Sequence, residues 1–240
     1  MLFRSFAIAG ARVSSGLADC PAGDLFLSFI ARTIARDPGN QIGIVGAHLY
    51  APASRGYVRL TSSDPAHEPL VDFRYLSDAR DSRRLMQIAR LGCDLIEAPQ
   101  VQPATLDRFM LPANPPLGLF NGPGPMAGVM SAAMRALPLM PRSVRRAAIA
   151  AVIGRDRFLD GLGRGEAFER LVRASYTSMF HPAGTCAIGT VVDPVTRVIG
   201  ADGLHVVDAS IMPTIPRANT NIPTSMIAER AAALIGPTLR

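Results

Sequence analysis

Tryptophan and lysine are both missing from the 240 residues, and only 6% of the chain is aromatic. All 25 basic residues are therefore arginine, and the formal net charge is +6. A nucleic-acid surface needs basic residues gathered on one face, with aromatics nearby to stack bases. Here the arginines are dispersed, so nucleic acid is not expected as a partner. The exception is Arg142, Arg145 and Arg146. Followed by Ala147 to Val152, that cluster reads as a solvated helix start, or as a cationic amphipathic helix at a membrane surface or acidic partner. Cysteine is scarce as well. Cys20, Cys93 and Cys186 are widely spaced with no C-x-x-C, which supports neither a disulfide framework nor a zinc site. A reducing compartment, the cytoplasm, is the expectation. Long apolar runs are absent too: the best, Ala147 to Gly154, falls far short of the roughly 18 residues that span a bilayer. Met1 to Ala11 holds a brief apolar patch broken by Ser5 and no small-x-small site, so it reads as an ordinary chain start or a truncation point rather than a signal peptide.

What is present reads as an ordinary globular chain of 48% hydrophobic residues. An apolar run covers Leu25 to Ile30. Short strands are expected over Gly43 to Tyr50 and Gly56 to Leu60, followed by the turn Ser62-Ser63-Asp64-Pro65. Leu85, Ile88, Ala89, Gly92, Leu95 and Ile96 recur at helical spacing. They predict a helix over Asp78 to Glu97, with Ser77 or Asp78 as N-cap and Pro99 closing it. Pro112 to Pro125 is dense in Pro, Gly and Asn and reads as a loop or lid. Two or three helices fill Met126 to Ala174. Val191 to Ile199 and Leu204 to Val207 are strand-like, joined through the turn Gly200-Ala201-Asp202-Gly203. A last helix begins at Pro223 and stops before Gly236-Pro237. Its small, apolar composition predicts burial on most sides. His48, His67 and His205 have no ligand-spaced partners and read as structural or surface residues; no metal site is expected.

Three short runs carry chemistry. His181-Pro182-Ala183-Gly184-Thr185-Cys186 sets one histidine in a turn fixed by Pro and Gly, although a lone histidine is more often structural. Asp208-Ala209-Ser210 ends an apolar strand, where an Asp either faces a ligand crevice or forms a turn. Asn219-Thr220-Asn221-Ile222-Pro223-Thr224 precedes a helix; one polar cap is ordinary, but two asparagines with a threonine exceed what capping requires. A hydrolase using Cys186 or Ser210 with a histidine is disfavoured, because His181 and Cys186 are five apart in one turn and no G-x-S-x-G elbow surrounds any serine.

Taken together, the run from Phe180 to Ile235 resembles the C-terminal signature of glucose-methanol-choline (GMC) oxidoreductases. It holds the His-Pro-x-Gly-Thr-Cys turn, Val-Asp-Pro, Gly-x-x-Gly-Leu, Val-Val-Asp-Ala-Ser, Met-Pro-Thr, Asn-Thr-Asn-x-Pro-Thr and Ala-Glu-Arg-Ala-Ala in order. Upstream, Pro52 to Leu60, Ser63-Asp64-Pro65 and Tyr75-Leu76-Ser77-Asp78 match substrate-domain segments of that family. The resemblance implies an α+β fold: a mostly antiparallel sheet flanked by helices, plus a C-terminal strand-helix segment that would complete a flavin domain. Residues 1–182 would form a substrate-binding domain and 183–240 a segment contributing to the FAD site. It implies FAD as cofactor and a small-molecule alcohol as substrate. His181 would accept the alcohol proton, an imidazole being suited to proton transfer near neutral pH. Asn219 would hydrogen-bond the substrate oxygen as charge develops. Asp208 and Ala209 resemble flavin contacts, and Asn221, Pro223 and Thr224 resemble the helix start at the isoalloxazine pyrimidine edge.

Two departures stand out. Ala187-Ile188 replaces the usual Arg-Met after the cysteine. The glycine-rich β-α-β fingerprint for FAD pyrophosphate is missing, since Gly161-Leu162-Gly163-Arg164-Gly165-Glu166 and Gly122-Pro123-Gly124 lack its context. The expectation is a chain that needs an N-terminal FAD-binding half and holds FAD poorly alone. The alternative is a non-catalytic remnant or interaction module of the same fold. The lack of an acidic cluster in Pro112 to Pro125 weighs against a cationic substrate such as choline.

Overall fold

In the computed structural model, residues 7–30, 42–114 and 125–236 are described. The strands are β1 (Ala7–Val13), β2 (Leu25–Ile30), β3 (Ile44–Leu49), β4 (Tyr57–Arg59) and β5 (Leu70–Asp72). The helices are α1 (Ala79–Ile96), α2 (Pro125–Ala136), α3 (Arg142–Ile153), α4 (Glu166–Arg173) and α5 (Asn221–Ile235). This is the α+β architecture expected. Residues 115–124 of the proposed lid, and residues 1–6 of the chain start, lie outside the described residues.

The chain divides into two compact units. Of the described residues, one takes 7–13, 25–30, 42–48, 84–114 and 125–177. In it β1, β2 and β3 lie in that order in one sheet, with β1 antiparallel to β2 from Val13 opposite Leu25 to Ala7 opposite Ile30. Leu25 and Leu27 are fully buried, and α1 supplies buried Leu85, Met86, Ile88, Ala89 and Cys93 to the same core. The helix approaches closely because Gly92 has no side chain: a Cβ there would lie 3.6 Å from Leu27 Cδ2 and 3.7 Å from Val45 Cγ1. The three-and-four spacing of apolar residues is what turns this face inward. On α4, Phe168, Leu171 and Val172 are buried, and ion pairs Arg90–Glu169 (2.8 Å) and Arg164–Glu97 (2.5 Å) link α1 to that region. Burial pushes the Cys93 thiol up to about 11.

The arginine cluster is paired in part with two aspartates, and the helix start is solvated, one of its two expected readings, with the Arg142 side chain 66% exposed. Arg145 is 8% exposed and pairs with Asp107 at 2.5 Å, while Arg142, Arg146 and Arg108 converge on Asp160 at 2.8, 2.5 and 2.9 Å. Burial opposes ionisation of Asp160, but hydrogen bonds from Arg146 and Arg108 outweigh it and hold the carboxyl below its usual range.

The second unit comprises, among described residues, 14–24, 49–83 and 178–236. Asp24, fully buried, accepts from Ser15 N (2.8 Å) and Ser15 Oγ (2.7 Å), and its carbonyl accepts from Tyr50 N (2.8 Å). Asp78 is the N-cap of α1, its Oδ1 accepting from Arg80 N at 2.8 Å. Asp81 in the first turn receives the backbone N–H groups of Ala53 (3.0 Å) and Ser54 (2.7 Å). The hairpin of β4 and β5 pairs Val58 with Val71.

The late segment departs from the strand reading. Residues 191–207 form isolated bridges, Val192 with Val198 and Arg197 with His205, around the expected turn, where Gly200 (φ +84°) and Gly203 (φ +70°) take the left-handed region. The segment pairs mainly with itself, so no regular ladder develops. Helix α5 starts two residues before the expected Pro223, which still falls in the first turn where a missing N–H is tolerated. Its burial is also less than expected: among the described residues only Ala231 of this helix is buried, with Ile222 79% and Met226 65% exposed. Its apolar faces have no covering layer among those residues.

Candidate functional site

The His181 turn is held along its length. Gly184 N donates to Ala209 O (3.3 Å), Cys186 N to Ser210 O (2.9 Å) and Ile188 N to Ile211 O (2.9 Å). Gly184 sits at φ +93°, and an added Cβ would meet Met212 O at 3.3 Å, so this position needs a residue with neither strain nor side chain. Asp208 and Ala209 therefore lie beside the histidine turn. Asp208 opens a short 3-10 turn over Ala209–Ile211, its Oδ1 accepting from Ser210 N at 2.7 Å, which is the turn-forming arrangement and not the end of a strand.

At the other end of the turn, the half-buried His181 ring is tied by Nδ1 to Thr220 Oγ1 at 3.0 Å. Thr220 occupies the N-cap position of α5, yet its side chain makes no cap hydrogen bond. The hydroxyl that would ordinarily cap the helix is used on the imidazole. Asn219, the next residue back, is exposed, and its Oδ1 accepts from the Tyr50 hydroxyl at 3.0 Å. Among the described residues His181 Nε2 and Asn219 Nδ2 have no hydrogen-bond partner.

Asn221, Pro223 and Thr224 form the first turn of α5. Thr224 N and Oγ1 both donate to Thr220 O, at 2.8 and 2.7 Å. The N–H groups of Asn221 and Ile222 have no acceptor among the described residues, and Pro223 has no N–H. All seven residues singled out in the sequence thus lie in one unit, in three short stretches joined by hydrogen bonds. Two further residues belong with them. Thr220 was visible only as part of the Asn-Thr-Asn run. Tyr50 had no local signal beyond an aromatic just ahead of the Pro52 to Gly56 turn.

The remaining histidines have ordinary partners. His48 Nε2 bonds Ser28 Oγ at 2.7 Å, His67 faces Asp64 at 3.3 Å and His205 Nδ1 faces Thr196 at 3.1 Å. Burial pushes the His48 imidazole below its ordinary value. Among the described residues no cluster of three metal-ligating side chains occurs, and no helix is long and apolar enough to cross a membrane. Cys20, Cys93 and Cys186 are free thiols.

The histidine turn, Asn219 and the uncapped start of α5 lie in one unit of an α+β fold, and comparison with known proteins gives the family. Residues 52–228 match the family described as GMC oxidoreductase. The chain belongs to the GMC oxidoreductase family. It is 34% identical over 232 residues to a 5-(hydroxymethyl)furfural oxidase of Methylovorus sp. (strain MP688), covering 94% of this chain and 36% of that protein. It is 30% identical over 212 residues to an alcohol dehydrogenase [acceptor] of Pseudomonas putida, covering 85% and 30%. Among solved structures, a fungal aryl-alcohol oxidase superposes with a TM-score of 0.54 at 25% identity, covering 89% of this chain and 28% of that one. The chain spans about a third of the length of the curated relatives it matches. A solved structure described as an FAD-dependent oxidoreductase from Chaetomium thermophilum shares the fold, with a TM-score of 0.54 at 20% identity, covering 91% of this chain and 29% of that one.

Proposed function

We propose that this chain supplies the substrate side of an FAD-dependent alcohol oxidoreductase, with His181 as general base. The observation that carries the reading is the pinning of His181 Nδ1 by Thr220, one residue from Asn219. When Nδ1–H donates to Thr220 Oγ1, the lone pair of Nε2 is left to accept the alcohol proton. Thr220, bonded to the ring and not to the substrate, selects that tautomer. Asn219 Nδ2 then donates to the same oxygen as negative charge grows on it. Such a donor is already oriented before the reaction, so it stabilises the transition state without reorganising.

The residues present fit the flavin. Asn221 and Ile222 offer two unpartnered N–H groups at the positive end of a fifteen-residue helix, donors suited to the electron-rich pyrimidine edge. Asp208 keeps one carboxylate oxygen for hydroxyl donors, and Ala209, in the same turn, fastens it to the histidine turn through the bond from Gly184 N. FAD, when bound, would supply the hydride acceptor at N5. The exposed apolar residues Phe180, Ile199, Leu204, Ile222 and Met226 are then the surface an N-terminal FAD-binding half would cover.

The test joins or mixes the chain with a GMC flavin half and follows flavin bleaching by primary alcohols. His181→Ala is expected to slow reduction by about a hundredfold or more, the usual contribution of a positioned base. Equal rates in parent and variant would favour a non-catalytic module of the same fold.

A further inference from the structure

We infer that Tyr50 is a positioning residue for this reaction, holding the Asn219 carboxamide in the one orientation that presents its NH2 to the reacting oxygen. The inference rests on the reading given under Proposed function. Asn219 is exposed, and its terminal torsion has two broad, near-equivalent wells, so the residue alone has no reason to choose between amide flips. The Tyr50 phenol, a stronger donor than acceptor, favours one of them by donating to Oδ1 at 3.0 Å across 169 residues of sequence. A hydrogen bond accepted at the amide oxygen also polarises the N–H bonds on the other side, making Nδ2 a better donor to a developing alkoxide.

The mount is fixed where the amide is not. Tyr50 is 8% exposed, its N–H is bonded to Asp24 O at 2.8 Å, and Asp24 is itself fully buried and doubly bonded to Ser15. The chain then turns at Ala51 with φ +49°, a conformation L side chains resist, immediately after the residue whose hydroxyl must reach Asn219. A buried tyrosine hydroxyl needs some partner. A bond serving only that need would leave catalysis untouched when removed.

In the chain reconstituted with a GMC flavin half, Tyr50→Phe is expected to lower the limiting rate of flavin reduction about tenfold, with little change in the alcohol concentration for half-saturation. In an Asn219→Ala background the same substitution is expected to have no further effect, because the group it positions is gone. On the 240-residue chain alone, the Asn219 side-chain amide resonances are expected to shift in Tyr50→Phe. Full rate in Tyr50→Phe, additive losses in the double variant, or unmoved amide resonances each overturn the role of Tyr50. His181→Ala separates this from the parent reading. If it reduces flavin as fast as the parent, the acid–base assignment fails and Tyr50 falls with it; if it is slow while the cycle is additive, only Tyr50 falls.

Discussion

Thr220→Val is the most discriminating change at the site. Valine keeps the shape of threonine in a position only 7% exposed and deletes only the hydroxyl bonded to His181 Nδ1 at 3.0 Å. A buried donor left without a partner costs about 1–3 kcal/mol, while a neutral bond exchanged for water nets about 1 kcal/mol. His181 is half-buried, so water reaches it and the lower figure applies. About 1 kcal/mol corresponds to roughly a fivefold slower reaction. The helix itself should lose little: a threonine cap bond is typically worth about 1 kcal/mol, but here no such bond exists. The main-chain bond from Thr224 N to Thr220 O at 2.8 Å is also untouched by the substitution. Nitrogen NMR of the imidazole would show the Nδ1–H tautomer losing its majority in the variant, alongside the slower flavin reduction. A loss of stability beyond about 2 kcal/mol with the tautomer unchanged would refute the reasoning, since it would make the hydroxyl a structural element of the fold.

Two further outcomes follow from the geometry. The His48 imidazole, held below its ordinary 6.5 by burial, stays neutral in the folded chain while the unfolded chain takes up a proton. Stability is therefore full above 6.5 and declines as pH falls from there toward the lowered folded value. Thermal melts of the parent and His48→Gln across that window should show the slope in the parent and its loss in the variant; the groups facing the ring are Ser28 and Phe26. Gly184→Ala places a Cβ at φ +93° and 3.3 Å from Met212 O, and is expected to cost about 1–3 kcal/mol in denaturant unfolding.

Sequence reasoning reached the elements whose information is local. Helix α1 was legible because Leu85, Ile88, Ala89 and Gly92 repeat at its own period, and between Ser77 and Asp78 the structure selects Asp78 because its carboxylate reaches Arg80 N. The turn between Gly200 and Gly203 was legible from two glycines that only a left-handed backbone requires. The strands flanking that turn were not, because apolar content sets β tendency while ladder formation depends on a neighbour the sequence does not name. The same limit hid the site's supports. His181 with Thr220, and Tyr50 with Asn219, are separated by 39 and 169 residues, so no window along the chain contains either pair.

Backbone strain shows which contacts the fold places under tension. Phe180 (φ +59°) immediately precedes His181, and Ala51 (φ +49°) immediately follows Tyr50. Each such residue costs about 1–3 kcal/mol and persists only where its surroundings over-determine it. The restraints are visible at both places: Phe180 N is bonded to Ser178 Oγ at 2.9 Å, and Tyr50 N to Asp24 O at 2.8 Å. Phe180 is 83% exposed, so its unusual backbone is not explained by burying its ring. What that backbone does accomplish is the direction of the next residue, carrying the imidazole to Thr220. Asp19, Arg74, Leu76 and Thr196 are left-handed too and adjoin none of these side chains in sequence, so the link to the proposed chemistry rests on the turns at Phe180 and Ala51 together with the diverted cap of α5.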